Sequence, residues 1–318
     1  MSNRLTENKL VLIVRRTRLD ELIARYNTAA QARFYIEHLG ADFYDYQAED
    51  ATYKAAVAAT QRALERLGRL HVVDRTFVPS YLFGPQDTVV VLGQDGLVAN
   101  VLKYLDAQPV LGVNPDPERW EGVLLPFAVD QLAAVIPQVF AGQRPVRRVT
   151  MAQATLNTGQ VLYGVNDLFI GPRSHTSARY TIRIGERSEY HSSSGIIVST
   201  GLGSTGWLRS ILTGAVGIAS ALASGSPGAE RPQMDAQYAS PWDADYVYFS
   251  VREPWPSKRS AATITFGRID AQTPLTLVSH MAENGVIFSD GIEADYLQFN
   301  SGVECRVTVA DKVGHLIA

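Results

Sequence analysis

Near residue 146 the distribution of apolar residues along the chain changes. Upstream, continuous apolar runs such as Leu10 to Val14 alternate with stretches of helical spacing such as Leu19 to Leu39. Such runs indicate strands buried on both faces of a parallel sheet, and their alternation with helices indicates an α/β domain. Downstream, short β-branched or alternating segments such as Ala178 to Ile184 follow one another. The sequence therefore predicts an α/β domain with a Rossmann-like parallel sheet over residues 1–145 and a β-rich, sandwich-like domain over residues 146–318.

The same patterns predict the other elements. The stretch Ser224 to Pro241 is rich in Gly, Ser, Pro and Ala and is expected to be a loop. The other predicted helices are Tyr53 to Leu67, Val98 to Leu105 and Gly206 to Ala223, and the other predicted strands are His71 to Val73, Thr88 to Leu92, Pro109 to Val113, Arg148 to Leu156, Gly195 to Ser199, Tyr246 to Val251, Ala262 to Phe266, Leu275 to Ser279, Gly285 to Ser289 and Cys305 to Ala310.

Composition and charge exclude several classes of protein. The 318 residues carry a formal net charge of -3 and no long block of Lys or Arg, so neither a nucleic acid nor a membrane surface is expected as a partner. The N-terminus resembles neither a signal peptide nor a transit peptide, and no apolar run reaches membrane-spanning length. A cytoplasmic location is therefore expected. The single cysteine, Cys305, excludes an internal disulfide and is expected as a buried strand thiol, and the six histidines show no metal-ligand spacing, so no protein-built metal site is expected.

The turn Gly93-Gln94-Asp95-Gly96 follows a predicted buried strand and precedes a predicted helix. Glycines let a backbone approach a ligand, and amides at a helix start favour anions. An acid among them can act as a base. Taken alone, such a segment is more often a simple tight turn.

Two later segments also combine polar groups with a strand. Ser199 to Trp207 holds glycines and hydroxyls before a predicted helix, where they could cradle phosphate or ribose oxygens, or where Ser204 or Thr205 could cap the helix. In Tyr163 to Ile170, the pair Asn166-Asp167 interrupts an apolar stretch and must find backbone or ligand partners.

Taken together and in order, these segments resemble the NAD kinase family. Gly93 to Gly96 stands where that family has Gly-Gly-Asp-Gly-Thr, Asn166-Asp167 where it has Asn-Glu, and Ser199 to Trp207 where it has a Thr-Gly-Ser-Thr loop. The stretch Val110 to Gly122 is similar to a Gly-Val-Asn-Thr-Asp-Pro-Glu-Arg segment of the mitochondrial-type members and their bacterial relatives. The resemblance covers roughly residues 10 to 310.

The resemblance implies ATP-dependent phosphorylation of the adenosine ribose 2′-hydroxyl of NAD or NADH. It implies that Asp95 is the catalytic group, that Mg²⁺ accompanies ATP, and that the protein is a homodimer. The residues that it places along the phosphates are Gly93, Gln94 and Gly96, and those that it places around NAD are Asn166, Asp167, Ser199, Gly203, Ser204 and Thr205.

The chain departs from the family pattern at four positions: Gln94 replaces a glycine, Leu97 and Leu202 replace threonines, and Asp167 replaces a glutamate. A side chain at position 94 is expected to crowd phosphates or to require an unfavourable backbone angle. Three functions therefore stay open: an NAD kinase, which we favour because the acid persists, a non-catalytic nucleotide sensor, and a kinase for another hydroxyl substrate. The sequence leaves the phosphate donor and the choice between NAD and NADH undetermined.

Overall fold

The computed structural model describes residues 4–223 and 240–318. Most of the loop expected at Ser224 to Pro241 lies outside the described residues. The chain divides into two compact units, one containing the residues up to Arg147 together with His315–Ala318, and the other Arg148–Gly314. Val146, Arg147 and the final four residues thus lie in the first unit, whereas the sequence assigned them to the second domain.

The first unit alternates strands and helices. Its helices are α1 (Arg18–Tyr26), α2 (Ala29–His38), α3 (Phe43–Leu67), α4 (Asp95–Leu102) and α5 (Leu132–Phe140), and its strands are β1 (Lys9–Val14), β2 (Arg69–Asp74), β3 (Thr88–Leu92), β4 (Pro109–Asn114) and β5 (Phe127–Ala128).

The strands of this unit form a parallel sheet. β2, β1, β3 and β4 lie side by side in that order, and Leu12 is in register with Val90. At the far edge of β4, Leu316 pairs in parallel with Val110, so the C-terminal residues extend the sheet. Leu12, Val90 and Leu111 are fully buried, as expected for strands covered on both faces.

The three helices predicted in the first unit have other bounds in the structure, and α5 was not predicted. The single helix expected over Leu19 to Leu39 is broken at Asn27, whose left-handed backbone ends α1, and Thr28 then caps α2. α3 begins at Phe43, because the Asp42 carboxylate accepts a hydrogen bond from the Tyr44 amide. α4 begins at Asp95, three residues before the expected start, with Gln94 at its N-cap.

The second unit consists mainly of antiparallel strands. Its helix is α6 (Trp207–Ala223), and its strands are β6 (Val146–Leu156), β7 (Val161–Gly164), β8 (Asp167–Pro172), β9 (Ala178–Ile184), β10 (Arg187–Ser193), β11 (Ile196–Ser199), β12 (Tyr246–Val251), β13 (Phe266–Asp270), β14 (Leu275–Ser279), β15 (Gly285–Ser289), β16 (Ile292–Gln298) and β17 (Glu304–Ile317), the ends of β6 and β17 lying in the first unit.

Two sheets of this unit enclose one core. The first contains β10, β9, β14 and β17, with β6 and β7 paired beside them, and the second has the order β13, β12, β11, β8, β15, β16. Ile170 and Val198 from one sheet share a buried cluster with Leu277 and Cys305 from the other. This is a β-sandwich, as predicted, and the thiol is buried as expected.

Four strands of the sandwich, β7, β8, β10 and β16, were not predicted from the sequence. Two predicted strands lie at other bounds than expected. The strand expected at Ala262 to Phe266 lies instead at Phe266–Asp270, where Phe249 pairs with Gly267. The alternating side chains of residues 262–266 suit either register, so neighbouring strands decide the position. β17 runs to Ile317, well beyond the expected end at Ala310.

Candidate functional site

In the β-rich unit, the carboxylate of Asp290 fixes the turn that precedes β8. Its Oδ1 atom accepts hydrogen bonds from the amides of Val165 at 3.0 Å, Asn166 at 2.6 Å and Asp167 at 3.3 Å. In return, the Asp290 amide donates to the Asp167 carbonyl at 3.0 Å. A carboxylate that collects several amides holds a turn firmly, because charge-assisted hydrogen bonds are stronger than neutral ones. The Asn166-Asp167 pair therefore has a defined backbone.

The loop after β11 packs directly on this turn. The Thr200 hydroxyl donates to the Val165 carbonyl at 2.6 Å, and the Thr200 amide donates to the Asn166 carbonyl at 3.0 Å. At Gly203, a Cβ atom would lie 2.1 Å from the Asn166 carbonyl oxygen, so only glycine fits this approach. Two of the segments identified in the sequence thus form one structure, although more than 30 residues separate them.

The hydroxyl groups of this loop differ in their exposure. Ser199 and Ser204 are buried, and the Ser204 hydroxyl donates to the Gly201 carbonyl at 2.7 Å. Thr205 is exposed to solvent. Both Ser204 and Thr205 lie in a short 3-10 turn, and Gly206 separates that turn from α6. Neither residue therefore occupies the helix N-cap.

The carboxyl of Asp167 sits in an unusual environment. Asp167 opposes Ser199 across the pair of strands β8 and β11. Among the described residues, nothing donates a hydrogen bond to its buried Oδ1 atom. Burial raises the pKa of Asp167 to about 7; the Ser199 hydroxyl opposes this rise and the nearby charge of Asp290 adds to it. A buried acceptor with no protein donor is available to a ligand.

Asp95 lies in the first turn of α4, in the α/β unit. Its Oδ1 atom accepts a hydrogen bond from the Leu124 amide at 2.6 Å. Leu124 belongs to the loop after β4, and a Cβ atom at Gly112 would lie 1.8 Å from the Leu124 carbonyl oxygen. That loop therefore packs closely on the sheet and holds the Asp95 carboxylate.

The residues around Asp95 form a strand-to-helix connection rather than a free turn. Gly93 is buried and donates to the Val113 carbonyl at 3.3 Å, whereas a Cβ atom at Gly96 would meet nothing within 4 Å. The first amides of a helix lack intrahelical acceptors, so those of Asp95 and Gly96 suit an anion.

Gln94 and Leu97 are the two residues of this segment that differ from the family pattern, and the structure accommodates both. Gln94 has φ -106° and ψ 162°, an extended conformation that any residue adopts, so the expectation of an unfavourable backbone angle is wrong. Leu97 is buried, and its Cδ2 atom lies 2.8 Å from where a Cβ atom of Gly93 would stand. Leu97 therefore fills the space above Gly93 in the core.

The acidic stretch after β4 contains ion pairs. Arg119 pairs with Asp45 of α3 at 2.7 Å and with Asp116 at 3.5 Å, and Asp45 also pairs with Arg18 of α1 at 2.8 Å. These contacts tie the loop that carries Leu124 to two helices.

Sequence reasoning missed the roles of Asp290 and Leu124. Asp290 stands 124 residues after Asn166, so nothing in the local sequence indicated that its carboxylate holds Asn166. Left-handed backbone at Asp290 and Gly291 turns the chain there, and an Asp-Gly pair is the one available signal.

The described residues contain no group of three or more His, Cys, Asp or Glu side chains that could hold a metal ion. None of the described helices is long and apolar enough to cross a membrane.

The chain was compared with protein families, with curated proteins and with solved structures. No protein-family model matches the chain. An NAD kinase of Chlorobaculum tepidum is 28% identical over 127 residues, which are 39% of this chain and 44% of that protein, so the match spans less than half of the relative.

Two solved structures share the fold. Yeast NADH kinase, crystallised with NADH, has a TM-score of 0.57 at 16% identity, covering 99% of this chain and 84% of that one. An NAD kinase of Archaeoglobus fulgidus, crystallised with ATP, has a TM-score of 0.53 at 13% identity, covering 98% and 93%.

An α/β unit with a mainly parallel sheet and an antiparallel β-sandwich is therefore the fold that this chain has in common with NAD and NADH kinases. The sequence match to the NAD kinase of Chlorobaculum tepidum is a similarity to the same group of proteins.

Proposed function

We propose that this protein is an NAD kinase that transfers the γ-phosphoryl group of ATP to the adenosine ribose 2′-hydroxyl of NAD or NADH. The observation that carries the proposal is that Thr200, in the Ser199–Ser204 loop, donates to the carbonyls of Val165 and Asn166, in a turn whose amides Asp290 holds. Residues that resemble the family's NAD-binding segments thereby lie in one hydrogen-bonded structure, beside a carboxyl oxygen of Asp167 that has no donor among the described residues.

Asp95 would act on the acceptor hydroxyl. As the 2′-oxygen bonds to the γ-phosphorus, the bond to the β,γ-bridging oxygen breaks and ADP leaves. The proton of the 2′-hydroxyl would pass to Asp95, whose orientation the Leu124 amide fixes. The backbone at Gly93, Gln94 and Gly96 would lie along the phosphates.

In the β-rich unit, Asn166 and Asp167 would bind the adenosine of NAD. The unpartnered Oδ1 atom of Asp167 would accept a hydrogen bond from a ribose hydroxyl or from the adenine amino group. Ser199, Gly203, Ser204 and Thr205 would line the same nucleotide, with Gly203 letting the loop approach Asn166.

Mg²⁺ would accompany ATP. Because the described residues form no cluster of acids and histidines, phosphate oxygens would hold the ion, which is the usual arrangement for this metal. It would neutralise charge on the phosphates. We further propose that the protein acts as a homodimer.

The test incubates the purified chain with ATP and Mg²⁺ and either NAD or NADH, and quantifies the 2′-phosphorylated product by chromatography. Asp95→Asn should lower turnover at least about a hundredfold, since general bases contribute that much. Asp130→Asn is the control, because Asp130 is an exposed carboxylate of the same unit. Binding of NAD by the wild type without product would overturn the kinase and select a nucleotide sensor, and equal turnover in Asp95→Asn would exclude Asp95.

A further inference from the structure

One face of α3 carries three polar side chains. Asp45, Glu49 and Tyr53 are spaced four residues apart, so they lie above one another on the helix. The Tyr53 hydroxyl accepts a hydrogen bond from the Arg15 amide at 2.9 Å and donates one to the Leu92 carbonyl at 2.9 Å. Since Leu92 is the last residue of β3, the helix is fixed to the strand end from which the acidic turn begins.

The buried carboxylate of Glu49 fixes the same helix to the first strand and the first helix. It pairs with Arg15, which follows β1, at 2.8 Å, and also with Arg18 at the start of α1. Charged groups that are removed from water need such partners in a defined geometry. The N-terminal half of α3 is therefore a firm anchor within the α/β unit.

This anchor holds the loop after β4 through the first of its three side chains. Asp45 Oδ1 accepts a hydrogen bond from Arg119 Nη2 at 2.7 Å. The guanidinium groups of Arg119 and Arg18 lower the pKa of Asp45 to about 2, so the carboxylate is charged at neutral pH. The ion pair is therefore intact under the conditions in which an enzyme is assayed.

The loop itself is tightly folded. The buried side chain of Asn114 accepts a hydrogen bond from the Asp116 amide at 3.0 Å and donates one to the Trp120 carbonyl at 2.9 Å. Gly122 has φ 67°, and a Cβ atom there would lie 2.7 Å from Asn114 Nδ2. Leu124 follows two residues later. The guanidinium that binds α3 and the amide that binds the acid of α4 therefore belong to one compact segment.

We propose that Arg119 is a positioning residue for the Asp95 carboxylate, on which it acts through the Leu124 amide. The inference rests on the proposed function, in which Asp95 acts on the acceptor hydroxyl. A displacement of about 1 Å in a reacting group can lower a rate on the order of a hundredfold. Asp45 and Asp116 already occupy Nη2 and Nε of the guanidinium, so Arg119 would leave the binding of ATP and NAD to other groups.

The kinetic experiment compares Arg119→Gln with the wild type. We expect kcat to fall at least about fivefold while the KM values for NAD and ATP stay within about twofold, because loss of position affects the transition state more than binding. Arg119→Lys keeps the charge and should retain at least about half of kcat. Arg33→Gln is the matched control, since Arg33 pairs with Glu37 on the exposed surface of α2.

Two further measurements separate positioning from a general loss of structure. The Asp45–Arg119 pair is partly exposed and such pairs contribute little to stability, so the urea midpoint of Arg119→Gln should match that of the control. Adding Asp45→Asn to Arg119→Gln should lower kcat less than about twofold further, since both changes remove the same interaction. Independent losses that multiply would show that Arg119 does not act through this pair, and would overturn the inference.

Hydrogen exchange at the Leu124 amide tests the inference without turnover. Exchange should be at least about fivefold faster in Arg119→Gln than in the wild type, and unchanged in the control, because the loop opens more often. Asp95→Ala removes the acceptor and gives the upper limit.

Unchanged exchange in Arg119→Gln would overturn the inference, and so would an unchanged kcat in an active enzyme. A higher KM at unchanged kcat would also overturn it, because Arg119 would then bind a substrate directly. If the wild type has no kinase activity but exchange at Leu124 is faster in Arg119→Gln, the proposed function fails and the role of Arg119 in holding the Asp95 carboxylate stands.

Discussion

The Leu124 amide donates a 2.6 Å hydrogen bond to Asp95 Oδ1, so a backbone group of the loop after β4 orients the acid at the start of α4. An asparagine at position 95 can still accept this bond through its amide oxygen, whereas alanine cannot.

We expect Asp95→Asn and Asp95→Ala to differ in stability although both lose phosphoryl transfer. Asp95→Asn should change the free energy of unfolding by under about 0.5 kcal/mol, and Asp95→Ala should lower it by about 1–3 kcal/mol, because the partly buried Leu124 amide loses its acceptor. Urea denaturation measures both. Equal stabilities would mean that the hydrogen bond does not hold the loop.

Gly203→Ala should disturb the NAD-binding turn. Its Cβ atom would lie 2.1 Å from the Asn166 carbonyl oxygen, and relief requires a shift of backbone. We expect a loss of about 1–3 kcal/mol in unfolding free energy, with weaker NAD binding. Gly214→Ala is the control: nothing lies within 4 Å of its Cβ position in α6, so helix propensity should stabilise the protein by up to about 1 kcal/mol. A normal NAD affinity in Gly203→Ala would argue against the role of this turn.

Glu49→Gln should be strongly destabilising. The Glu49 carboxylate pairs with Arg15 at 2.8 Å, and their side chains are 4% and 7% exposed, so the substitution leaves a buried guanidinium uncompensated. The expected loss is about 3 kcal/mol in unfolding free energy. The exposed pair Arg33–Glu37 on α2 provides the control, because Glu37→Gln should cost no more than about 0.5 kcal/mol. Similar losses in the two variants would contradict the conclusion that burial makes the Glu49–Arg15 pair the more important one for stability.

The pKa of Asp167 predicts a pH-dependent gain in stability for Asp167→Asn. The folded carboxyl titrates near 7 and the unfolded one near 3.8, so the folded state holds its proton to higher pH and loses stability as pH rises through that window. The advantage of Asp167→Asn over the wild type should therefore grow from about pH 4 to about pH 7 and then stay constant, reaching at most about 4 kcal/mol. Unfolding of the ligand-free protein across this range measures it. Asp245→Asn, with an 88% exposed side chain, is the control. A pH-independent difference would show that the carboxyl stays charged.

Leu97→Thr should lower stability rather than raise turnover. Leu97 is buried against Gly93, and the shorter polar side chain would leave a cavity, at a cost of about 1–3 kcal/mol. Gln94→Gly should cost under about 1 kcal/mol, because the position is extended and partly exposed. Unfolding curves measure the stability of both variants, and initial rates measure their turnover. A faster Leu97→Thr enzyme would indicate that the native segment is impaired instead of adapted.

The sequence predicted the parallel sheet and the sandwich because continuous apolar runs and short alternating segments report burial directly. It could not place the break at Asn27, since apolar spacing continues across it and only the left-handed backbone ends the helix. It also could not place the strand at Phe266–Asp270, because pairing with β12 selects the register.

For the candidate site, local sequence indicated Asp95, Asn166 and the Ser199 loop, since each lies beside a buried strand. Local sequence did not indicate Asp290, which stands 124 residues from Asn166. Asp290 accepts hydrogen bonds from backbone amides, and every residue except proline has such an amide. Leu124 contributes only its N–H group, so its side-chain identity carries no information on its role.

β17 passes from the sandwich into the parallel sheet, where Leu316 pairs with Val110. During synthesis, the edge of β4 at Pro109 and Val110 therefore lacks its partner strand while about two hundred further residues emerge from the ribosome, although β5 covers Val113 and Asn114. The α/β unit completes its sheet only after nearly all strands of the sandwich have been synthesised. An exposed parallel edge of this kind invites pairing with other nascent chains.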